Sequence, residues 1–156
     1  MNFTWIAEDY QQNSQFQYEH AQLAISRYRF IGNESVLDVG CGDGRITSEL
    51  ASKLKYGSVV GIDSSPSMIK FANKVSSEDK HNLSFHVCNA ENINYHEKFD
   101  VVVSFACLHW VQDQLRFLTG AKNALKKNGT IIITLYPKHP YIWEAIQETA
   151  NSPFWR

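Results

Sequence analysis

The stretch Val36–Arg45, with the sequence VLDVGCGDGR, decides the fold of this 156-residue chain. An apolar run that contains one carboxylate, Asp38, passes directly into a turn with three glycines at alternating positions. This pattern predicts a buried strand, a sharp turn and the start of a helix. Glycines at such a turn let the chain bend tightly and let a ligand lie against bare backbone. They are Gly40, Gly42 and Gly44.

The chain around this turn alternates short apolar runs with stretches of helical periodicity. The predicted strands are SVLDVG, SVVGID, LSFHVC, FDVVVSF and GTIIITLY, in that order. Helices are predicted in GRITSELASKL, in SPSMIKFANKV and from Gln112 to Lys126, the last closed by Asn128-Gly129. The loop from Asn89 to Lys98 has little helical patterning. Strands that alternate with helices predict an α/β three-layer sandwich, with a mostly parallel sheet and helices on both faces.

Finer features of the helices also follow from residue spacing. Ile46, Leu50 and Leu54 are predicted to share one face, and Pro66 to stand in a first turn capped by Ser64 or Ser65. Before the first strand, NSQFQYEHAQLAISRYRFI predicts an amphipathic helix. Its broad apolar side would hold Phe16, Ala21, Leu23, Ile25 and Tyr28. After the last strand, YIWEAIQETA is predicted to be helical.

These elements predict a single domain with three segments. Residues 1–33 would form an N-terminal helical segment, and residues 34–136 the α/β core. Residues 137–156 would form a C-terminal helical segment.

Composition and charge exclude several classes of protein. Hydrophobic residues make up 44% of the chain, charged residues 20%, and the net charge is -1. This composition is globular, and without a basic cluster we expect no nucleic-acid partner. No apolar run approaches the roughly 20 residues that cross a bilayer, and no signal peptide is visible. The three cysteines have no CxxC spacing, which suits a reducing compartment and predicts a cytoplasmic protein.

The acidic residues around the turn indicate which kind of ligand it would bind. Asp63 ends the second predicted strand and lies 19 residues after Gly44, a distance that suits hydrogen bonds to ribose hydroxyls. Dinucleotide sites have the spacing GxGxxG, whereas this chain has GxGxG. Asp38 and Asp43 would repel a pyrophosphate but suit a zwitterionic amino acid beside a sulfonium cation. Asp38 could contact that cofactor, brace the turn by accepting backbone N–H groups, or do both.

Five ordered segments between about Glu34 and Tyr136 resemble class I S-adenosylmethionine-dependent methyltransferases, which have a Rossmann-like fold. VLDVGCGDG resembles motif I, VVGIDSSPSMI the ribose-binding segment, and NAENI the adenine-side loop. FDVVVSFACLHWV resembles the fourth strand with its active-site loop, and ALKKNGTIIIT the approach to the fifth strand. SFACLHWV, together with the N-terminal pattern Y..NS..Q, is most similar to juvenile hormone acid and trans-aconitate methyltransferases. Those enzymes methylate carboxylates of small molecules.

The resemblance implies S-adenosylmethionine as cofactor and a set of residues that bind it. Three of them have alternative, purely structural roles. Asp63 could merely cap the following helix, Met68 could be a core residue, and Glu91 could simply be solvated. At Asn89 the family usually has an aspartate. The Asn89 amide oxygen can still accept a hydrogen bond from the adenine amino group, but without the assistance of a charge, so binding would be weaker. The expected cofactor residues are Asp38, Gly40, Gly42, Gly44, Asp63, Ser64, Met68, Asn89, Ala90, Glu91, Ser104 and Phe105.

The resemblance also places residues that face the acceptor. Tyr10, Gln15, His109 and Trp110 are expected to contact the substrate, although each could have a purely structural role. A carboxylate acceptor needs no general base because it is already ionised at neutral pH. For a hydroxyl or amine acceptor, His109 would be the catalytic base, since its unperturbed pKa lies near neutrality. No metal site is expected, because the histidines lack ligand spacing.

The sequence therefore predicts a small-molecule methyltransferase that works by in-line transfer, with a carboxylate O-methyltransferase as the finer expectation. A non-catalytic cofactor- or partner-binding module and, less favoured, a nicotinamide-dependent oxidoreductase are the alternatives. The resemblance implies that residues 1–33 lie over the cofactor site. The family core normally has two strands beyond the fifth, so residues 137–156 are expected to lead into a missing remainder of the protein. We also expect a second copy or a partner to cover the edge of the fifth strand. The sequence does not specify the acceptor, the type of atom that is methylated or the oligomeric state. It also leaves open whether the chain is a fragment of a longer enzyme and whether this chain is active by itself.

Overall fold

A computed structural model describes residues 14–76 and 81–136. The helices are α1 (Gln15–Ser26), α2 (Arg45–Lys53), α3 (Pro66–Ser76) and α4 (Gln114–Ala124). The strands are β1 (Ser35–Val39), β2 (Ser58–Asp63), β3 (Leu83–Val87), β4 (Phe99–Phe105) and β5 (Leu125–Thr134). Two short 3₁₀ turns, Ala90–Asn92 and Leu108–Trp110, follow β3 and β4. The predicted C-terminal helix lies outside the described residues.

The five strands form one parallel sheet in the order β3-β2-β1-β4-β5. The chain moves outward from β1 to β2 and β3, then returns to place β4 on the other side of β1. The carboxyl ends of β1 and β4 therefore border the crevice where ligands bind in sheets of this kind. The predicted α/β fold with a parallel sheet is confirmed.

Alternate residues of the central strands enter two cores on opposite faces of the sheet. On one face, Val36 and Val101 pack with α1 and α2, where Leu50 and Leu54 are fully buried. Val102 on the other face packs with Phe117 of α4. Strands buried on both faces explain the continuous apolar runs in the sequence. Ile46 packs against the first core, so the predicted face of α2 is confirmed.

Two predictions about helices are corrected. Phe16 and Leu23 are each 57% exposed, so the apolar side of α1 is narrower than predicted and its buried residues are Ala21 and Ile25. Helix α4 ends at Ala124 because Leu125 already pairs with Phe99 of β4. The Asn-Gly pair lies in a bulge inside β5, where residues 126–129 stand opposite Asp100.

Strand β5 is the last strand of the described sheet, and its outer side has no partner strand among residues 14–76 and 81–136. Ile131 on this strand is 39% exposed. An edge of this kind can pair with another chain. That a second copy or a partner covers it stays a prediction.

Candidate functional site

The glycine-rich turn follows β1 and has a backbone that only glycine adopts readily. Gly40, Gly42 and Gly44 have φ angles of +76°, +55° and +78°. Side chains with a Cβ are strained in this left-handed region. The amides of Gly40 and Cys41 both donate to the carbonyl oxygen of Ile62, at 2.8 and 3.0 Å. The turn is thus pinned to the end of β2, with its backbone facing the crevice.

Gly40 lies against the segment that follows β4. A Cβ built on Gly40 would stand 2.5 Å from Cys107 Cβ and would also overlap Cys107 Sγ. Ala106, one residue earlier, has a φ of +52°, an uncommon conformation for a residue with a Cβ. The two central loops therefore approach each other so closely that position 40 admits no side chain.

Asp63 ties the glycine turn to the start of α3. Its Oδ2 accepts a hydrogen bond from Gly42 N–H at 3.0 Å, and its Oδ1 accepts one from Ser65 N–H at 2.8 Å. Burial raises the pKa of Asp63, and the two amides oppose that rise. Ser65 Oγ accepts from Met68 N–H at 3.4 Å, so the hydroxyl that caps α3 belongs to Ser65 rather than Ser64. A ribose contact by Asp63 stays a prediction.

A cavity of about 300 Å³ opens between the glycine turn and the loops after β3 and β4. It brings together seven residues that the sequence assigned to the site. They are Gly40, Asp63, Ser64, Asn89, Ala90, Glu91 and Trp110. Two other predicted residues lie elsewhere: Met68 is 3% exposed in α3, and Ser104 is buried with its hydroxyl donating to Val39 O at 2.9 Å. Phe105 lines a separate small cavity under α1.

The adenine-side loop is held by its own polar side chains. Asn89 Oδ1 accepts from Glu91 N–H at 2.8 Å, which caps the 3₁₀ turn that follows. Glu91 Oε1 accepts from the backbone amides of Gln112 and Asp113, at 3.1 and 3.2 Å. The alternative in which Glu91 is merely solvated is therefore wrong, because its carboxylate joins this loop to the start of α4. Asn89 Oδ1 thus accepts one hydrogen bond and keeps a second lone pair, and its contact with adenine stays a prediction.

Asp38 is buried at the end of β1 and is held by a side chain rather than by backbone amides. Its Oδ2 accepts from the Thr47 hydroxyl of α2 at 2.7 Å, and the residue is only 2% exposed. Burial raises the pKa of Asp38 to about 7; the Thr47 hydrogen bond opposes the rise, and the charges of Asp63 and Asp43 add to it. Asp38 thus braces the turn through α2, and its carboxylate lacks a cationic partner among the described residues.

Helix α1 covers the glycine turn through a polar network that the sequence did not reveal. Tyr18 Oη donates to Glu49 Oε1 at 2.8 Å, and Gln22 donates to the other oxygen of Glu49. The Arg45 guanidinium lies 3.5 Å from the centre of the Tyr18 ring. These contacts join residues about 30 positions apart, so no local pattern could identify them. They hold α1 beside the turn.

The residues predicted to face the acceptor are only partly brought together. Trp110 is 49% exposed and lines the 300 Å³ cavity. The His109 ring lies 5.2 Å from the Trp110 ring and 5.9 Å from Tyr136. Gln15 is exposed, donates to Glu19 on α1, and is not among the residues that line the cavity. Tyr10 lies outside the described residues.

Cys107, which lines the 300 Å³ cavity, is not an activated nucleophile. Burial raises the pKa of Cys107 to about 12, and the Asp63 charge adds to the rise, so this thiol stays protonated at neutral pH. Such a thiol is a poor nucleophile. Within residues 14–76 and 81–136 no group of three or more histidine, cysteine or acidic residues could hold a metal ion. No helix in the same part of the chain is long and apolar enough to cross a membrane.

Comparison with known proteins identifies relatives of this chain. Residues 32–152 match the family described as methyltransferase domain. The chain is 36% identical over 145 residues to the 235L protein of Invertebrate iridescent virus 6, covering 93% of this chain and 50% of that protein. It is 32% identical over 142 residues to the juvenile hormone acid O-methyltransferase of Bombyx mori, covering 88% and 49%. The chain thus spans about half the length of these curated relatives.

Two solved structures share the fold. One is a Haloferax volcanii protein in complex with the Trm112 methyltransferase activator, with a TM-score of 0.74, 24% identity, and coverage of 83% of this chain and 57% of that one. The other is Haemonchus contortus phosphoethanolamine N-methyltransferase 2, solved with S-adenosylhomocysteine, with a TM-score of 0.69, 23% identity, and coverage of 85% and 33%. The predicted methyltransferase fold is confirmed, whereas no particular subgroup within it is.

Proposed function

This chain belongs to the methyltransferase domain family, and we propose that it acts as an S-adenosylmethionine-dependent methyltransferase on a small-molecule acceptor. One observation carries the proposal. The left-handed glycine turn, bonded to Asp63, borders a 300 Å³ cavity whose walls are the adenine-side loop and the segment after β4. A dinucleotide-dependent oxidoreductase is disfavoured, because the carboxylates of Asp38, Asp43 and Asp63 surround the turn where a pyrophosphate would bind.

The residues present fit this cofactor on three grounds. Gly40 lines the 300 Å³ cavity with backbone alone, so a ligand can lie against the chain there. The acidic turn suits a sulfonium and an ammonium. Asp63 retains acceptor capacity for ribose hydroxyls beyond the two amides that it already binds. When bound, S-adenosylmethionine supplies a methyl group on a positively charged sulfur, and the protein's task is to hold donor and acceptor in line.

We further propose that the acceptor is a carboxylate. The Bombyx mori relative is named for methylation of an acid, and that similarity supports the same acceptor class here. A carboxylate is already ionised at neutral pH, so the site needs groups that orient the acceptor rather than a base. Trp110 at the cavity rim and His109 beside it are the side chains that would do so.

Ligand binding should separate this function from the alternatives. S-adenosylhomocysteine at a hundred times its dissociation constant stabilises a protein by about 2.7 kcal/mol, so we expect the melting temperature to rise by about 5–10 °C. NAD at the same concentration should leave it unchanged. The measurement is a thermal-unfolding scan of the chain with each ligand. Stabilisation by NAD alone would contradict the proposal, and stabilisation by S-adenosylhomocysteine without methyl transfer to any acceptor would favour a binding module.

The substitution His109→Ala should distinguish the acceptor classes. With a carboxylate acceptor we expect kcat to fall by less than about tenfold, because only orientation is lost. With a hydroxyl acceptor, loss of a general base costs about 10²–10⁴-fold. The measurement is the initial rate of methyl transfer to matched acid and alcohol acceptors. His86→Ala, an exposed position on β3, is the control. Equal large losses on both acceptors would rule out the base-free mechanism.

A further inference from the structure

The Glu91 carboxylate joins two loops that form walls of the same 300 Å³ cavity. Its Oε1 accepts hydrogen bonds from the backbone amides of Gln112 and Asp113, at 3.1 and 3.2 Å. Residues 89–91 of the adenine-side loop and residues 110–112 after β4 both line that cavity. One oxygen atom therefore connects the wall that is expected to contact the cofactor with the wall that is expected to contact the acceptor.

Trp110 ends a 3₁₀ turn that leads directly to the amides bound by Glu91. Its own N–H donates to Cys107 O at 2.8 Å, and the N–H of Val111 donates to Leu108 O at 3.2 Å. The backbone that carries the indole is thus fixed by this turn on one side and by the Glu91 carboxylate on the other. Because one residue separates Trp110 from the first of those amides, a shift of the amides moves the indole.

A second contact anchors the adenine-side loop to α4 but is apolar. Ile93 packs against the core that contains Phe117, and a Cβ built on Gly120 would stand 3.0 Å from Ile93 Cβ. Neither Ile93 nor Gly120 is among the residues that line the 300 Å³ cavity. Apolar packing is non-directional, whereas hydrogen bonds weaken steeply when their geometry changes. The packing therefore holds the loop on the helix, and the Glu91 bonds set how the two cavity walls face each other.

We propose that Glu91 is a positioning residue that couples the adenine-side loop to Trp110. This inference rests on the proposed function and gives one residue a role in both halves of the site. A cofactor that orders residues 89–91 also fixes the Glu91 carboxylate. Through the amides of Gln112 and Asp113, that carboxylate then fixes the indole beside which the acceptor lies. Because coupling between two sites is reciprocal, releasing the segment after β4 also weakens cofactor binding.

A double-mutant cycle on S-adenosylhomocysteine affinity tests the coupling, with isothermal titration calorimetry on the full chain. Glu91→Ala removes the acceptor, and Gln112→Pro removes one of its two donors, since proline has no N–H. Val111 has a φ of -76° and a ψ of 129°, a conformation that residues before proline adopt. Gln112→Ala removes the same side chain and keeps the amide, so it is the reference for the proline.

The two loops should lose affinity together. We expect Glu91→Ala to weaken S-adenosylhomocysteine binding about tenfold, and Gln112→Pro to weaken it about threefold relative to Gln112→Ala. The variant with both Glu91→Ala and Gln112→Pro should bind no more weakly than the variant with Glu91→Ala and Gln112→Ala, because the bond that the proline removes is already absent.

The Trp110 ring reports whether the effect reaches the acceptor side. The chain has four tryptophans, so labelling with fluorotryptophan gives four fluorine NMR resonances, and Trp110→Phe identifies the one of Trp110. In the ligand-free protein Glu91→Ala should shift or broaden this resonance. Glu91→Gln should leave it in place, because the amide oxygen can still accept both bonds. Glu19→Ala, which removes an exposed carboxylate of α1, is the control.

The outcomes separate this inference from the function on which it rests. If S-adenosylhomocysteine binds the wild type but the two losses multiply in the double variant, Glu91 acts independently of the segment after β4 and the inference is overturned. An unchanged Trp110 resonance in Glu91→Ala would overturn it too. If Glu91→Ala fails to fold, Gln112→Pro compared with Gln112→Ala tests the same bond by affinity and by the Trp110 resonance. If S-adenosylhomocysteine does not bind the wild type, the proposed function falls, and this inference falls with it.

Discussion

Replacing Gly40 with alanine is expected to weaken S-adenosylmethionine binding at least a hundredfold and to lower the free energy of unfolding by about 3 kcal/mol. Two effects add at this position. The residue must adopt a φ of +76°, which strains any residue with a Cβ. The new methyl group would also overlap Cys107, whose Cβ would be 2.5 Å away. Relief requires the loops after β1 and β4 to separate, and both border the 300 Å³ cavity.

Comparison with a second glycine, Gly32, separates the steric overlap at position 40 from the backbone strain. Gly32 has a φ of +99°, but a Cβ there would be no closer than 3.7 Å to its nearest neighbour, Lys53 O. Gly32→Ala should therefore cost only the backbone strain, about 1 kcal/mol, and should leave ligand affinity unchanged. Calorimetric titration and chemical denaturation of both variants measure the two quantities. Wild-type affinity in Gly40→Ala would show that the cofactor does not lie against this turn.

The fold could be predicted from sequence because its determinants are local and repetitive. Strands buried on both faces appear as continuous apolar runs, and the positive φ angles of the turn require the glycines that the sequence displays. The sequence predicts Phe16 and Leu23 on the apolar side of α1, but both are exposed, because burial in this helix depends on contacts with distant elements. A helix on one face of a sheet buries only the residues that its neighbours reach, and periodicity does not say which those are.

The sequence predicts which loops meet at the candidate site but not the polar contacts between them. The residues of the glycine turn and Asp63 could be placed because a strand, a turn and a fixed interval specify them. Hydrogen bonds between different elements leave no local signal. Examples are the bond that Thr47 donates to Asp38 and the bonds that the amides before α4 donate to Glu91.

The substitution Asp38→Asn should stabilise the ligand-free protein at pH 8, on the order of 3 kcal/mol. Burial raises the pKa of Asp38 to about 7, whereas the same group in the unfolded chain ionises near pH 4. Between these values the folded state binds more protons than the unfolded state, so the stability from this group is complete below about pH 4 and falls as the pH rises to about 7. Asparagine removes this loss and can still accept from Thr47.

Chemical denaturation at pH 5 and pH 8 measures the effect. The difference between the two pH values should be smaller in Asp38→Asn than in the wild type, and a residual slope should persist because burial also raises the pKa of Asp43 and of Asp63. Asp100 serves as the control, because its pKa is shifted in the opposite direction. Burial acts to raise the pKa of Asp100, but hydrogen bonds from Lys126 and from Ser35 N–H outweigh it and lower the pKa. Asp100→Asn should therefore destabilise the protein at pH 8, by less than about 1 kcal/mol at this partly exposed position.

The stability gained at position 38 should be accompanied by weaker binding. A buried carboxylate without a cationic partner among the described residues is costly in the free protein, and a positively charged ligand would offset that cost on binding. We therefore expect Asp38→Asn to bind S-adenosylmethionine about tenfold more weakly while unfolding at a higher denaturant concentration. Calorimetric titration of the variant measures the affinity. Unchanged affinity in a stabilised variant would mean that Asp38 only braces the turn through Thr47 and that the positive charge of the donor is balanced elsewhere in the site.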